Sequence, residues 1–273
     1  MSKLEGRLVL ITGGARGIGR CCAQALIASG ARVILADIDP SEAKNTASAL
    51  GPRAVGFGLD VSDTVAFKQC AETIINEMGP INILINNAGV MHIGPTEELS
   101  RKITQRMIQV NVLGVLNGVH AVRPSMQTNG GGLIINIASL VARLPVAYAA
   151  TYSATKAAVA SLTESLRLEL HDEGIRFMGV YPGYVRTDLT SGVPLPRFPN
   201  AVTPEDVAKA LVQGIQRKRA SVYDPSSGRL LTLIRPFLPL RLARLFGELT
   251  HTADLFKRID AKERQAYRTR TKR

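Results

Sequence analysis

The sequence predicts a doubly wound α/β fold, a parallel sheet covered by helices on both faces. Three observations carry this. Six short apolar runs recur, at 7–14, 32–39, 54–63, 81–89, 132–139 and 175–183. They are near-continuous and not alternating, the pattern of strands buried on both faces. Longer helix-patterned stretches separate them, such as 20–30, 64–78 and 101–127. Such βα alternation builds parallel sheets, because parallel strands need crossover connections. Finally, the motifs that can carry chemistry fall at the ends of the runs or at the start of the next helix. Open sheets of this Rossmann type bind ligands there.

The elements follow in order. "RLVLITGG" (7–14) is a buried strand ending in glycine, and "RCCAQALIASG" (20–30) is a helix stopped at Gly30. "RVILADID" (32–39) is a second strand, and "AVGFGLDVSD" (54–63) contains a third. "INILINNAG", "GLIINIAS" and "IRFMGVYPG" continue the series. Thr203 followed by Pro204 reads as the capped start of a further helix. These elements give one Rossmann-type domain over 1–225 and a helical extension over 226–273.

Composition bounds the function. A chain of 273 residues, 45% of them hydrophobic, can build a full core. No linker-like stretch or repeat divides it. The start lacks the apolar segment and cleavage site of a signal peptide. Cys21, Cys22 and Cys70 are odd in number and two are adjacent, which argues against a disulfide framework and for a reducing compartment. No apolar run reaches the ~18 residues of a membrane span. A cytoplasmic location is expected. The net charge of +12 is uneven, since residues 225–273 hold 12 Lys/Arg against 4 Asp/Glu. The body is nearly ordinary, which argues against nucleic-acid binding by the domain and singles out the tail.

"TGGARGIG" (12–19) links the first strand to the first helix. Gly13, Gly17 and Gly19 permit a tight turn and close approach of a pyrophosphate, which rests on the helix N-terminus. Asp37 ends the second strand, 18 residues after Gly19, where a carboxylate accepts hydrogen bonds from an adenosine ribose. A carboxylate there repels a 2′-phosphate, so NAD is favoured over NADP. Arg16 and Arg20 are the cations that a 2′-phosphate would use.

The glycine spacing, with the motifs that follow it, resembles the short-chain dehydrogenases/reductases over about residues 5–225. "LDV" (59–61) matches the segment against adenine, with Asp60 and Val61. "NNAG" (86–89) matches the central-strand motif lining the cofactor cleft, with Asn87, Ala88 and Gly89. "YPGYVRT" (181–187) matches the segment beside the nicotinamide, with Pro182, Gly183, Val185 and Thr187. Arg16 and Ile18 belong to the glycine turn. The resemblance implies a catalytic set of Asn111, Ser139, Tyr152 and Lys156. Ser139 precedes Tyr152 by 13 residues, the family's usual separation.

The chemistry so implied is hydride transfer between an alcohol carbon and a nicotinamide, with the protein moving a proton. Tyr152 and Lys156 are one helical turn apart and share a face. An ordinary tyrosine, with a pKa of about 10, is a poor base near neutrality, and a lysine ammonium beside it favours the phenolate. The resemblance also gives Lys156 a bond to the nicotinamide ribose and Asn111 a water beside the lysine. Ser139 then holds the substrate oxygen. Tyr148 has Tyr152 four residues on, not a lysine, and reads as a pocket wall. His92, His120, His171 and His251 lack metal-type spacing, so no metal site is expected.

The expected substrate pocket is mainly apolar: Met91, Ile93, Leu140, Val141, Leu144, Val146, Tyr148 and Tyr184. The Pro-rich segment 188–206 reads as its lid. This favours a lipophilic alcohol or ketone of steroid, retinoid or long-chain type. Arg143 and Arg197 keep an acidic substrate or acyl carrier in view. An NADPH-dependent carbonyl or ketoacyl-type reductase is the main rival, and a nucleotide-sensing protein on the same fold is a third reading. In the tail, Leu238, Leu242, Leu245 and Leu249 share one helical face, with Arg241 and Arg244 off it. This reads as a membrane-surface helix, a helix packed on its own domain, or a subunit contact. The resemblance implies a homodimer or homotetramer through helices around 101–127 and 152–171.

Overall fold

The computed structural model describes residues 4–196, 198, 200–239, 241–242, 247–248, 255–257, 259–260 and 262–271. Among these, seven parallel strands form one sheet. They are β1 (Leu8–Thr12), β2 (Arg32–Asp37), β3 (Ala54–Gly58), β4 (Ile83–Asn86), β5 (Gly132–Ile137), β6 (Ile175–Pro182) and β7 (Ser221–Asp224), in the order 3-2-1-4-5-6-7. The order reverses between β1 and β4, so a crevice opens at the carboxyl ends of those two strands.

The helices are α1 (Gly17–Ala28), α2 (Pro40–Leu50), α3 (Thr64–Met78), α4 (Arg101–Ile108), α5 (Gly114–Thr128), α6 (Ala150–Glu169), α7 (Pro204–Gln216), α8 (Ser227–Ile234) and α9 (Gln265–Thr271). Each apolar strand serves two cores. In β1, Val9 and Ile11 pack with Leu26 of α1 and Leu211 of α7. Leu8 and Leu10 pack on the other face with Phe67 of α3 and Val119 of α5. Strand side chains alternate between faces, so a continuous apolar run is what two covered faces require.

Several boundaries follow from local chemistry. Asp39 and Asp63 cap α2 and α3 by accepting from Glu42 N–H and Ala66 N–H at 3.0 and 2.9 Å. Thr203 and Asp206 form a reciprocal capping box at the start of α7, as the Thr-Pro pair predicts. The run at 54–63 leaves the sheet after Gly58. There Asp60 folds onto Ser62 N–H and Ser62 Oγ.

Two elements differ from the sequence reading. The helix expected over 101–127 is interrupted by a π turn, Gln109–Leu113, centred on Asn111. β7 was not anticipated. It is four residues long, only Val222 in it is fully buried, and it forms the sheet edge.

The tail differs more. Of the apolar stripe expected at Leu238, Leu242, Leu245 and Leu249, only Leu238 and Leu242 fall among the described residues, Leu242 being helical. Pro236 sits inside a 3₁₀ turn, Arg235–Phe237, and Leu238 beyond it is extended. Leu245, Leu249 and Arg244 lie outside the described residues. Residues 262–271 instead return to the body. Arg264 is fully buried and donates to the main-chain oxygens of Met91, Leu189 and Ser191 at 2.6, 3.0 and 3.0 Å. Tyr267 Oη accepts from Met91 N–H at 2.8 Å. No helix among the described residues is long and apolar enough to cross a membrane.

A buried polar ladder fixes the central strands to α6. Asn86 Nδ2 donates to Asn136 Oδ1, Asn136 Nδ2 donates to Thr163 Oγ1, each at 2.9 Å, and Thr163 Oγ1 donates to Val159 O. Replacing Asn136 with Ala leaves Asn86 Nδ2 only its 3.5 Å bond to Val115 O and leaves the Thr163 hydroxyl without its donor. The expected loss is about 2–4 kcal/mol, from the unmade bonds and the cavity. Urea unfolding of Asn136→Ala, read as a lower midpoint at unchanged slope, checks it.

Candidate active site

A cleft of about 1380 Å³ crosses the carboxyl ends of the strands. Its first wall is the turn between β1 and α1. Gly13 and Gly17 adopt positive φ, 61° and 51°. At Gly13 a Cβ would also lie 2.8 Å from Ala88 Cα, so only glycine fits. Asn87 braces this turn, its Nδ2 donating to Thr12 O and Gly13 O at 3.0 and 2.8 Å. Thr12 Oγ1 in turn accepts from Asn87 N–H and Ala88 N–H. Gly19 sits one layer behind the cleft, packed on Gly13 O. The N-terminus of α1 carries no side-chain cap and no acidic residue in its first turn. Its N–H groups and positive dipole end are thus available to an anion.

At the outer end of this wall Asp37 accepts from Ala15 N–H and Asp39 N–H, each at 3.2 Å. Arg16 is engaged by Asp39 at 3.5 Å and by Glu42 at 3.3 Å. The region that would receive an adenosine ribose therefore presents three carboxylates, with one of its arginines already paired. Asp60 and Val61 also line the cleft. The Asp60 carboxyl is held low by Ser62 and Arg106, which outweigh the opposing effect of its burial. Glycine turn, uncapped helix and carboxylate together fit a dinucleotide.

The inner end is built on α6 and the loop after β5. Tyr152 and Lys156 are both buried on the same face of α6. Lys156 Nζ donates to Ile137 O at 2.7 Å and lies 5.9 Å from the Tyr152 ring centre. Ser139 ends the loop after β5. Its Oγ accepts from Val141 N–H at 3.3 Å, capping the turn Leu140–Ala142, and donates to Pro182 O at 3.4 Å.

Asn111 lies in the π turn. Its amide group donates to Val90 O and Thr155 Oγ1 at 2.9 and 3.0 Å, and Oδ1 accepts from Val90 N–H at 2.8 Å. Both amide hydrogens are therefore engaged. A water held by this residue has one Oδ1 lone pair or the main chain to use. A Cβ at Gly89 would sit 3.4 Å from Asn111 Oδ1 and 3.6 Å from Lys156 Nζ, so the glycine keeps the space between them clear.

Burial governs both titrating groups. It raises the Tyr152 phenol above its ordinary range, with the neighbouring Tyr267 phenol adding to the rise and the Ser139 bond opposing it. Burial also lowers Lys156 to about 8. The depression of the phenol expected from the Lys156 charge is not among the effects that set its direction here.

Pro182, Gly183, Val185 and Thr187 complete the cofactor side, and Ile18 lines it too. On the substrate side the cleft is lined by Met91, Leu140, Val141, Leu144, Val146 and Tyr184. Ile93 and Tyr148 do not line the cleft; Ile93 is buried in the apolar cluster that contains Met91 and Tyr152, and the half-buried Tyr148 packs against that cluster. Tyr148 has φ 63°, and its main-chain oxygen accepts from Gly94 N–H at 2.8 Å. Arg143 is paired with Glu164 at 2.5 Å and does not line the cleft. Arg197 lies outside the described residues, as does His251. Among the described residues no group of three His, Cys, Asp or Glu is placed to hold a metal ion.

Sequence reasoning missed the far wall. Leu255, Phe256 and Tyr267 line the cleft, and Leu255 and Phe256 share one apolar cluster with Met91 and Tyr152. Nothing in "LFKRIDAKERQAYRTRTKR" marks it as a pocket wall. Its apolar residues are sparse and its charge suggests a solvated tail.

A dinucleotide-type turn and a buried Tyr–Lys–Ser group share one cleft of a doubly wound α/β protein. The profile of the short chain dehydrogenase family matches residues 7–195. The chain belongs to that family and is an oxidoreductase by that membership. It is 42% identical to a sorbitol dehydrogenase of Cereibacter sphaeroides over 192 residues, 70% of this chain and 75% of that one. It is 38% identical to a 3-alpha-(or 20-beta)-hydroxysteroid dehydrogenase of Mycobacterium bovis over 200 residues, 73% and 77% of the two chains. Among solved structures it resembles a short chain dehydrogenase/reductase of Burkholderia phymatum in complex with NAD. That likeness has a TM-score of 0.78 at 26% identity and covers 86% of this chain and 94% of the other.

The Lys156 shift sets a pH dependence of stability. Its folded value is lowered from 10.5 to about 8, so the buried charge is costly below pH 8 and that cost is relieved as pH rises toward 10.5. From pH 7 to 9.5 this group should add about 2 kcal/mol to unfolding stability. Urea titrations at both values should show this increment in the native chain and its absence in Lys156→Met.

Proposed function

We propose that the chain is an NAD(H)-dependent oxidoreductase that interconverts a primary or secondary alcohol and its carbonyl compound, with a lipophilic substrate. The observation that carries this is the shared cleft. The glycine turn with its uncapped helix lies at one end, and Tyr152, Ser139 and Lys156 lie buried at the other. The dinucleotide supplies the hydride acceptor or donor when bound, held by Gly13, Gly17, Ile18, Asp37, Asn87 and the 182–187 segment. The protein moves the proton. Tyr152 Oη takes it from the alcohol or returns it to the carbonyl oxygen. Ser139 Oγ holds that oxygen against the phenol. Lys156 provides the charge that favours the phenolate once it is protonated, and Asn111 fixes the wall behind it through Val90.

Three carboxylates around the ribose end, with Arg16 already paired, support NAD over NADP. Lipophilic character is supported by the apolar lining from Met91 to Phe256 and by the hydroxysteroid dehydrogenase relative. The sorbitol dehydrogenase relative points to a polyol, so the substrate class is the part to test. With NAD, kcat/KM for a lipophilic secondary alcohol should exceed that for sorbitol. The reverse order would overturn the lipophilic reading.

Tyr152→Phe should lower kcat by at least about a thousandfold, the scale of a lost acid–base group, while leaving NAD affinity within about twofold. Retained turnover would sink the assignment. The native chain should favour NAD over NADP by at least about tenfold in kcat/KM, and Asp37→Ser should narrow that ratio by relieving like-charge repulsion. A native preference for NADP would support the ketoacyl-type reductase reading instead.

A further inference from the structure

Helix α8 and the turn Arg235–Phe237 form part of the cleft rim, and their two faces differ in what they meet. Gly228 and Thr232 are buried, with Gly228 against Leu140. Leu231 and Arg235 line the cleft. Leu230, Leu233, Ile234 and Phe237 fall at i, i+3, i+4 and i+7 on the opposite side, exposed by 60, 60, 44 and 87%. A surface helix ordinarily turns polar residues outward. Here four large apolar side chains in a row face out, and such a patch marks a contact surface.

The charges around the stripe select its occupant. Residues 225–247 hold four arginines and no carboxylate; Arg229 is exposed on α8 itself, and Arg241, four residues beyond the stripe in sequence, is exposed too. A second copy docked by twofold symmetry would set this basic rim against itself. A nucleic acid would match the arginines but leave the apolar stripe facing phosphate. An anionic bilayer surface meets both demands. Apolar side chains enter the headgroup boundary, and arginines lie at lipid phosphates.

We infer that the outward face of α8 and the 235–237 turn docks the protein peripherally on anionic membranes, with the cleft rim toward the lipid. The further consequence, that a lipophilic substrate enters from the bilayer, rests on the substrate class proposed above. The docking itself does not.

Flotation of the full chain separates the two. Vesicles of phosphatidylcholine with about a third phosphatidylglycerol are compared with phosphatidylcholine alone, for the native chain and for Leu233→Glu/Phe237→Glu. Both positions are solvent-facing, so the melting temperature and the turnover of a water-soluble alcohol should be unchanged. The native chain should float at least fivefold more with the anionic vesicles, an excess that 0.5 M salt reduces and the double variant abolishes. No flotation of the native chain, or equal flotation of the variant, overturns the proposal. A native dimer in light scattering that becomes monomeric in the variant overturns it too, by assigning the face to a second copy. Flotation needs no catalysis, so a failed alcohol screen would leave this result standing.

Discussion

The buried ladder from Asn86 through Asn136 to Thr163 ties β4, β5 and α6 together, and the geometry of the cleft depends on it. Amide side chains inside a parallel sheet are costly unless paired. Here each amide finds the next, so the pairing can be satisfied in one registration of α6 against the strands. Lys156 and Tyr152 precede Thr163 by 7 and 11 residues on that helix. These spacings keep all three on one face. The ladder thus sets the depth and rotation at which the phenol and the ammonium meet the cleft. Asn111 reinforces it from the π turn, joining α6 at Thr155 to the chain after β4 at Val90.

The two ends of the cleft work on opposite electrostatic principles. At the glycine turn the groups are backbone dipoles and exposed carboxylates, where field direction matters more than burial. At α6 the groups are dry. Burial pushes phenol and ammonium each toward its neutral form, which draws their titrations away from their ordinary order. A site of this kind responds strongly to any charge brought near it, because little water is present to screen it.

Much of this was legible in the sequence because it rests on local chemistry. Continuous apolar runs gave the strands, Thr203-Pro204 gave a helix start, and the 12–19 turn required glycine at Gly13 for reasons visible in the motif. The π turn was not legible, since a one-residue slip at Asn111 leaves the apolar periodicity of 101–128 almost unchanged. β7 was too short to show a pattern. The cleft is lined by Met91, Val141 and Tyr184 and not by Ile93 or Tyr148, because periodicity indicates that a residue is buried but not in which layer. The tail was the largest gap. Arg264 is buried and donates to three main-chain oxygens, and a composition reading places such a residue in solvent.

That tail has a consequence for how the protein can change. The glycine turn, Ser139, Tyr152 and Lys156 all lie within the family-matched residues 7–195, whereas Leu255, Phe256 and Tyr267 lie beyond them. The far side of the chamber is held through Arg264 and Tyr267 by main-chain atoms, which every sequence provides. Side chains on that wall can be exchanged while its anchors stay seated. One part of the chamber wall is therefore written on a stretch of chain separate from the reactive groups, and that part can drift while they are held constant.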